Sequence, residues 1–128
     1  MRLLLDTHAL LWWVFGDPKL SPGARRAITQ PDNEIVVSAA SAWEIATKYR
    51  IGKMPEAKVL ATDIAGALTR ENFGTLSVSL AHGQHAGALP GQLKDPFDRM
   101  LIAQSLLERL PLVSNEKAFD AYGVKRVW

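Results

Sequence analysis

Arg2-Leu3-Leu4-Leu5 is a short, unbroken apolar run that ends at once on Asp6. A run of this kind reads as a strand buried on both faces, the signature of a parallel sheet with helices covering each side. Glu34-Ile35-Val36-Val37-Ser38 repeats the pattern with β-branched residues. Parallel strands cannot be joined by tight turns, so each must be followed by a crossover, usually a helix. The rest of the chain is therefore constrained to alternate between strand and helix.

The intervening segments obey that constraint. A helix is predicted from Ala9 to Phe15, broken by Gly16-Asp17-Pro18, and a second opens at Ser21-Pro22 and runs to Thr29. After the strand at 34–38 comes a helix from Ala39 to Arg50, with apolar residues at Ala42, Trp43, Ile45, Ala46 and Tyr49. A further amphipathic helix is expected over 57–69, a third strand over 74–78, and a short helix capped by Ser79 that carries His82 and His85. Asp95-Pro96 is an N-cap with proline at the first helical position, and the apolar helix it opens carries Asp98 in its first turn. Strands at 110–114 and 124–128 flank a short helix at 117–122, with Gly123 as the turn. The expected fold is one domain over residues 1–128, a three-layer α/β/α sandwich around a central, mostly parallel sheet.

Composition excludes several chemistries. The 128 residues contain no cysteine, which removes disulfides, zinc-thiolate sites and thiol nucleophiles together. No Gly-x-Ser-x-Gly elbow, phosphate-binding glycine loop or Gly-x-Gly-x-x-Gly fingerprint occurs. The apolar run from Ala9 to Phe15 is too short to span a bilayer, so a soluble, cytoplasmic protein is expected, with no membrane partner. Net charge is +2 despite several acids expected in one place, so the surrounding surface is correspondingly more basic, which suits a polyanion such as RNA.

Those acids are Asp6, Glu44, Asp98 and Glu116. Each follows a strand or lies in the first turns of a helix, and in a parallel sheet such positions share the carboxyl edge, where ligands bind. Carboxylates gathered there repel one another unless a cation neutralises them, and an all-oxygen set suits Mg²⁺ or Mn²⁺. A divalent ion so held can activate water against a phosphodiester. Each acid also has a structural reading. Asp6, Asp95 and Asp98 can serve helix N-termini, Ser41 and Glu44 fit a capping box, and Lys48 can pair with Glu44 at the surface. His82 and His85 read as polar surface or site-rim residues rather than as metal ligands. Trp12, Trp13, Phe15 and Trp43 read mainly as core, with at least one expected to be exposed enough for a partner.

Met1-Arg2-Leu3-Leu4-Leu5-Asp6-Thr7-His8, Ser38-Ala39-Ala40-Ser41-Ala42-Trp43-Glu44-Ile45 and Asp95-Pro96-Phe97-Asp98-Arg99-Met100-Leu101-Ile102-Ala103-Gln104 together resemble the PIN-domain family, specifically the VapC-type toxins of bacterial toxin–antitoxin pairs. The resemblance covers essentially the whole chain. It implies a Mg²⁺- or Mn²⁺-dependent endoribonuclease acting on RNA, inhibited by a cognate antitoxin and commonly a homodimer. By motif position Asp6, Glu44 and Asp98 match the first three family acids, and Asp95 belongs to the subfamily motif as ligand or cap. The fourth position departs from the usual Thr-x-Asp: here it is Ser114-Asn115-Glu116, so either Glu116 through water or Asn115 directly would take that place. Thr7, Ser114 and Arg99 are candidates for orienting water or contacting phosphate. Cleavage of DNA or flap substrates and a non-catalytic RNA- or protein-binding module are the competing readings.

Overall fold

The computed structural model describes residues 1–128. Its sheet has five strands, β1 (Arg2–Leu5), β2 (Glu34–Ser38), β3 (Gly74–Leu76), β4 (Leu112–Val113) and β5 (Arg126–Val127), in the order β3-β2-β1-β4-β5. Every neighbouring pair is parallel, with Leu3 opposite Ile35 and Leu5 opposite Val113. The chain lays strands outward on one side of β1 and then returns to build the other side. The β1–β4 boundary is thus the point where strand order reverses, and a crevice opens beyond the strand ends there.

Seven α-helices cover the sheet: α1 (Thr7–Val14), α2 (Pro22–Thr29), α3 (Ala39–Arg50), α4 (Lys58–Thr62), α5 (Ile64–Arg70), α6 (Leu80–Ala88) and α7 (Pro96–Glu108). Alternation along the strands divides the core. Leu3, Leu5, Ile35, Val37 and Val113 face one layer, where they meet Leu10, Ile28, Ile45, Leu60 and Leu68 of α1 to α5. Leu4, Val36 and Leu112 face the other, against Leu101 and Ile102 of α7 and Phe119 of the 3-10 turn Lys117–Tyr122. Each fully buried side chain of this size contributes about 1.5–3 kcal/mol.

The helix expected over 57–69 is divided. A 3-10 turn (Pro55–Ala57) leads into α4, and the chain breaks at Asp63 (φ −153°, ψ 70°), whose carboxylate caps α5 by accepting from Gly66 N–H at 3.0 Å. Aspartate offers the backbone a local partner outside the helix, and here that competition wins. The capping box expected at Ser41–Glu44 is also absent. Ser38, the last residue of β2, caps α3 by accepting from Ala40 N–H, which places Glu44 in mid-helix, facing inward. No helix is long and apolar enough to cross a membrane.

Because Ile102 is fully buried between α7 and the sheet, Ile102→Ala is expected to cost about 2–5 kcal/mol. Urea denaturation checks this through a lower midpoint at an unchanged slope.

Candidate active site

The carboxyl edge collects polar groups that the strands deliver in register. Asp6 follows β1, Ser38 ends β2 and Ser114 follows β4; all are buried. Asp6 caps α1, its Oδ1 accepting from Ala9 N–H at 2.7 Å, so the fold commits one oxygen to the helix. Burial raises the Asp6 carboxyl above the usual carboxylate range, opposed by hydrogen bonds from the Ser114 hydroxyl and Ala9 and by the charge of His8, and reinforced by Glu44. Thr7 is occupied at once, its hydroxyl donating to Ser41 Oγ at 3.0 Å.

Glu44 projects from α3 into the same edge with 2% of its surface exposed. Lys48, one turn on, donates to Oε2, while Oε1 is buried without any hydrogen-bond partner. The pair expected at the surface is thus mostly buried on the acid's side. An unpartnered buried carboxylate oxygen is costly in the absence of a cation. Burial works against the Lys48 charge, yet Glu44, Asp95 and Asp98 together raise it above the ordinary lysine value. Lys48 is the cation built into this acidic corner.

Asp95 and Asp98 come from the start of α7. Asp95 Oδ1 accepts from Phe97 N–H at 2.9 Å and Asp98 N–H at 3.1 Å, with Pro96 at the first position, so its capping role is met in full. Asp98 is half-buried and makes no such bond. Burial, then the neighbouring carboxylates of Asp95, Glu44 and Asp6, push it up to about 7 against the pull of Lys48. Four acids from three segments therefore share one field.

Glu116 does not join them. It is exposed, its Oε1 accepts from Ala118 N–H at 3.3 Å, and its charge acts on Arg126. The Ser114 hydroxyl turns the chain away by accepting from Glu116 N–H at 3.0 Å, and Asn115 is exposed beside it. Ser114, rather than either of its followers, supplies the side chain after β4 that meets Asp6.

Arg99 is not free for phosphate. Its guanidinium donates to the carbonyls of Ala86, Leu89 and Leu93, clamping the connection between α6 and α7. His82 is buried, not peripheral. Its Nδ1 accepts from Ser79 N–H at 2.9 Å in a capping box, and Nε2 lies 2.9 Å from Glu108. The Ser-x-x-His spacing was the available signal, with imidazole in the place usually held by Glu or Gln. Trp43 is 63% exposed and packs edge-on to Phe97 at 4.7 Å, so the expectation of an exposed aromatic holds there.

As the side chains stand, no group of three or more His, Asp or Glu residues converges closely enough to hold a metal ion. The donors nevertheless suit a hard divalent cation. Glu44 Oε1 lacks any partner, Asp98 is raised by burial and by three neighbouring carboxylates, and the acids gathered here offer only oxygen donors. Asp6, Glu44 and Asp98, with Asp95 beside them, are the residues that would hold such an ion.

A wholly parallel, helix-covered sheet with buried acids at its switch point defines a class of α/β domains whose chemistry sits at the carboxyl edge. The chain belongs to the PIN-domain family, whose profile matches residues 3–125. It is 30% identical to Ribonuclease VapC22 of Mycobacterium tuberculosis over 123 residues, covering 94% of this chain and 91% of that protein. It is also 43% identical to Ribonuclease VapC16 of the same organism over 75 residues, or 56% of this chain; that match spans about half of the relative, 53%. Among solved structures, VapBC2 from Rickettsia felis bound to a promoter DNA fragment superposes with TM-score 0.71 at 16% identity over 100% of both chains. A toxin–antitoxin complex from Klebsiella pneumoniae gives 0.64 at 18%, covering 98% and 96%. At these identities the superpositions establish the fold.

A raised carboxyl makes the native state the stronger proton binder, so stability falls as pH rises from the unfolded value near 4, through the Asp98 value of about 7. Asp98→Asn is therefore expected to melt higher than the parent at pH 8 in chelator and to lose that advantage at pH 4. Thermal melts across that window check it.

Proposed function

We propose that the chain is a metal-dependent endoribonuclease, the toxin of a toxin–antitoxin pair, that hydrolyses RNA phosphodiester bonds at the Asp6–Glu44–Asp98 corner with Mg²⁺ or Mn²⁺. The observation that carries the reading is Glu44 Oε1, a buried carboxylate oxygen without a partner in a field of three further acids, within a PIN domain. Both curated relatives bear the name ribonuclease, and one aligns over almost the whole chain.

A divalent cation, when bound, polarises a phosphoryl oxygen and lowers the pKa of water. The protein's own residues do the rest. Asp6 is fixed by its bond to Ala9 N–H and by the Ser114 hydroxyl, so it presents its remaining oxygen capacity in a set direction. Glu44 is held from one side by Lys48, which leaves Oε1 available. Asp98, pushed up by burial and by its neighbouring carboxylates, would regain its charge beside a cation and complete the oxygen donor set. Asp95 keeps the N-terminus of α7 ordered beneath it. Glu116 lies outside this set, so the reading rests on the inner acids and Ser114.

A protein antitoxin is the partner this reading supplies, and a homodimer the assembly. Cytoplasm, where RNA is met, is the compartment it requires. Expression of the chain alone is expected to arrest growth, and co-expression with the antitoxin to relieve it.

The direct test is cleavage of single-stranded RNA by the purified chain with Mg²⁺ or Mn²⁺. Asp6→Asn, Glu44→Gln and Asp98→Asn are each expected to lower the rate by more than about 100-fold, beyond the loss typical of outer-shell partners. Glu116→Gln is expected to change it little. Unchanged cleavage by any of the first three would remove that residue from the site, and equal cutting in chelator would remove the metal.

A further inference from the structure

We infer that the groove running along α1 away from Asp6 is a subsite for one unstacked base of single-stranded RNA, with the flanking phosphates on Lys19 and Lys53. This rests on the ribonuclease reading above and adds where the substrate lies. The groove has a volume of about 500 Å³, in the range of built ligand sites. Its wall is one helical stripe, His8, Leu11, Trp12 and Phe15, at spacings of three and four. Lys53, Met54 and Glu56, with Asp17 and Lys19, complete its lining.

Two features select a nucleotide. The first is aromatic. The exposed His8 ring lies 5.6 Å from Trp12 at 40°, and Trp128 steadies Trp12 edge-on at 5.9 Å. Phe15 is 44% exposed further along. Rings held this way offer sequence-tolerant stacking to a base. The second is charge. Lys19 and Lys53 are exposed and take part in none of the chain's ion pairs, so both are available to phosphate. Asp17 accepts from its neighbour Lys19 N–H at 2.9 Å, and Glu56 is exposed. These carboxylates disfavour a continuous run of phosphates there, but can accept from the amino edge of a base. The groove thus takes a base between two phosphates.

Continuity with the carboxylates completes the case. His8 is two residues past Asp6, which caps the N-terminus of α1, so the groove begins next to the proposed cleavage site. The apolar groove of about 400 Å³ on the other side, lined by Ala39, Trp43, Val78, Phe97 and Met100, has no such charged wall apart from the committed Arg99.

The experiment measures KM and kcat for a short single-stranded RNA over a range of salt, beside direct RNA binding by fluorescence anisotropy. Lys19→Gln and Lys53→Gln are each expected to raise KM severalfold at unchanged kcat and to reduce the salt slope of binding by about 0.7. Trp12→Ala is expected to raise KM about tenfold and Trp12→Phe to restore most of it. Lys125→Gln, at the far edge of the sheet, serves as the unchanged control. If Trp12→Ala fails to fold, the two exposed lysines carry the test. A parent that cleaves RNA while every groove variant matches it in KM and salt slope overturns the subsite, leaves the nuclease intact and assigns the wall to protein contacts. A parent that neither binds nor cuts RNA overturns the ribonuclease reading, and the subsite with it.

Discussion

The structure depends on how it keeps negative charge at the buried carboxyl edge of a parallel sheet. Strand order reverses between β1 and β4, so the helices diverge there and leave an opening beyond the strand ends. Asp6, Glu44, Asp95 and Asp98 all press on that opening, opposed by Lys48 at Asp98 and by His8 at Asp6. Like charges in a poorly hydrated place lift each other's proton affinity. That explains why Asp98 rises to about 7 while Asp120, exposed and paired with Arg126, falls below the ordinary carboxylate value. The site stores unfavourable electrostatics that a divalent cation would relieve.

Helix capping and charge placement are the same device at two of these positions. Asp6 caps α1 and Asp95 caps α7, so the fold itself gives these carboxylates a structural use at the N-termini that border the crevice. Each cap spends an oxygen on backbone N–H groups and leaves the residue anchored. Glu44 and Asp98 have no cap to serve: one keeps an unpartnered oxygen, and the other is raised by burial as Asp6 is, without a backbone N–H to hold it. Anchored acids and unsatisfied acids thus sit side by side, which is the arrangement a preorganised site needs.

Much of this was legible in the residues. Unbroken apolar runs identified β1 and β2, and Asp-Pro identified the start of α7, because burial on both faces and capping are local demands. The break at Asp63 was not legible, since Val59, Leu60, Ile64 and Leu68 hold a helical rhythm across it and only the side-chain bond to Gly66 reveals the cap. Ser41-x-x-Glu44 satisfied a capping pattern that Ser38 had already filled one turn earlier. Arg99 followed a catalytic motif and reads as a phosphate contact, but carbonyls at the end of α6 and in the connection to α7 claim it. Glu116 had the right place after a strand and the wrong direction.

The sequence by itself determined the alternation of strands and helices, the parallel sheet and the acids placed at strand ends, because each follows from periodicity and capping within a few residues. Only the tertiary structure decided which of those acids face one another. Direction at a strand end is set by the turn that follows it. At Ser114 the hydroxyl accepts from Glu116 N–H while also meeting Asp6, so the chain bends and carries Glu116 outward to cap its own short turn. The same packing turned Glu44 inward from mid-helix, where burial against the sheet edge leaves one oxygen without a partner.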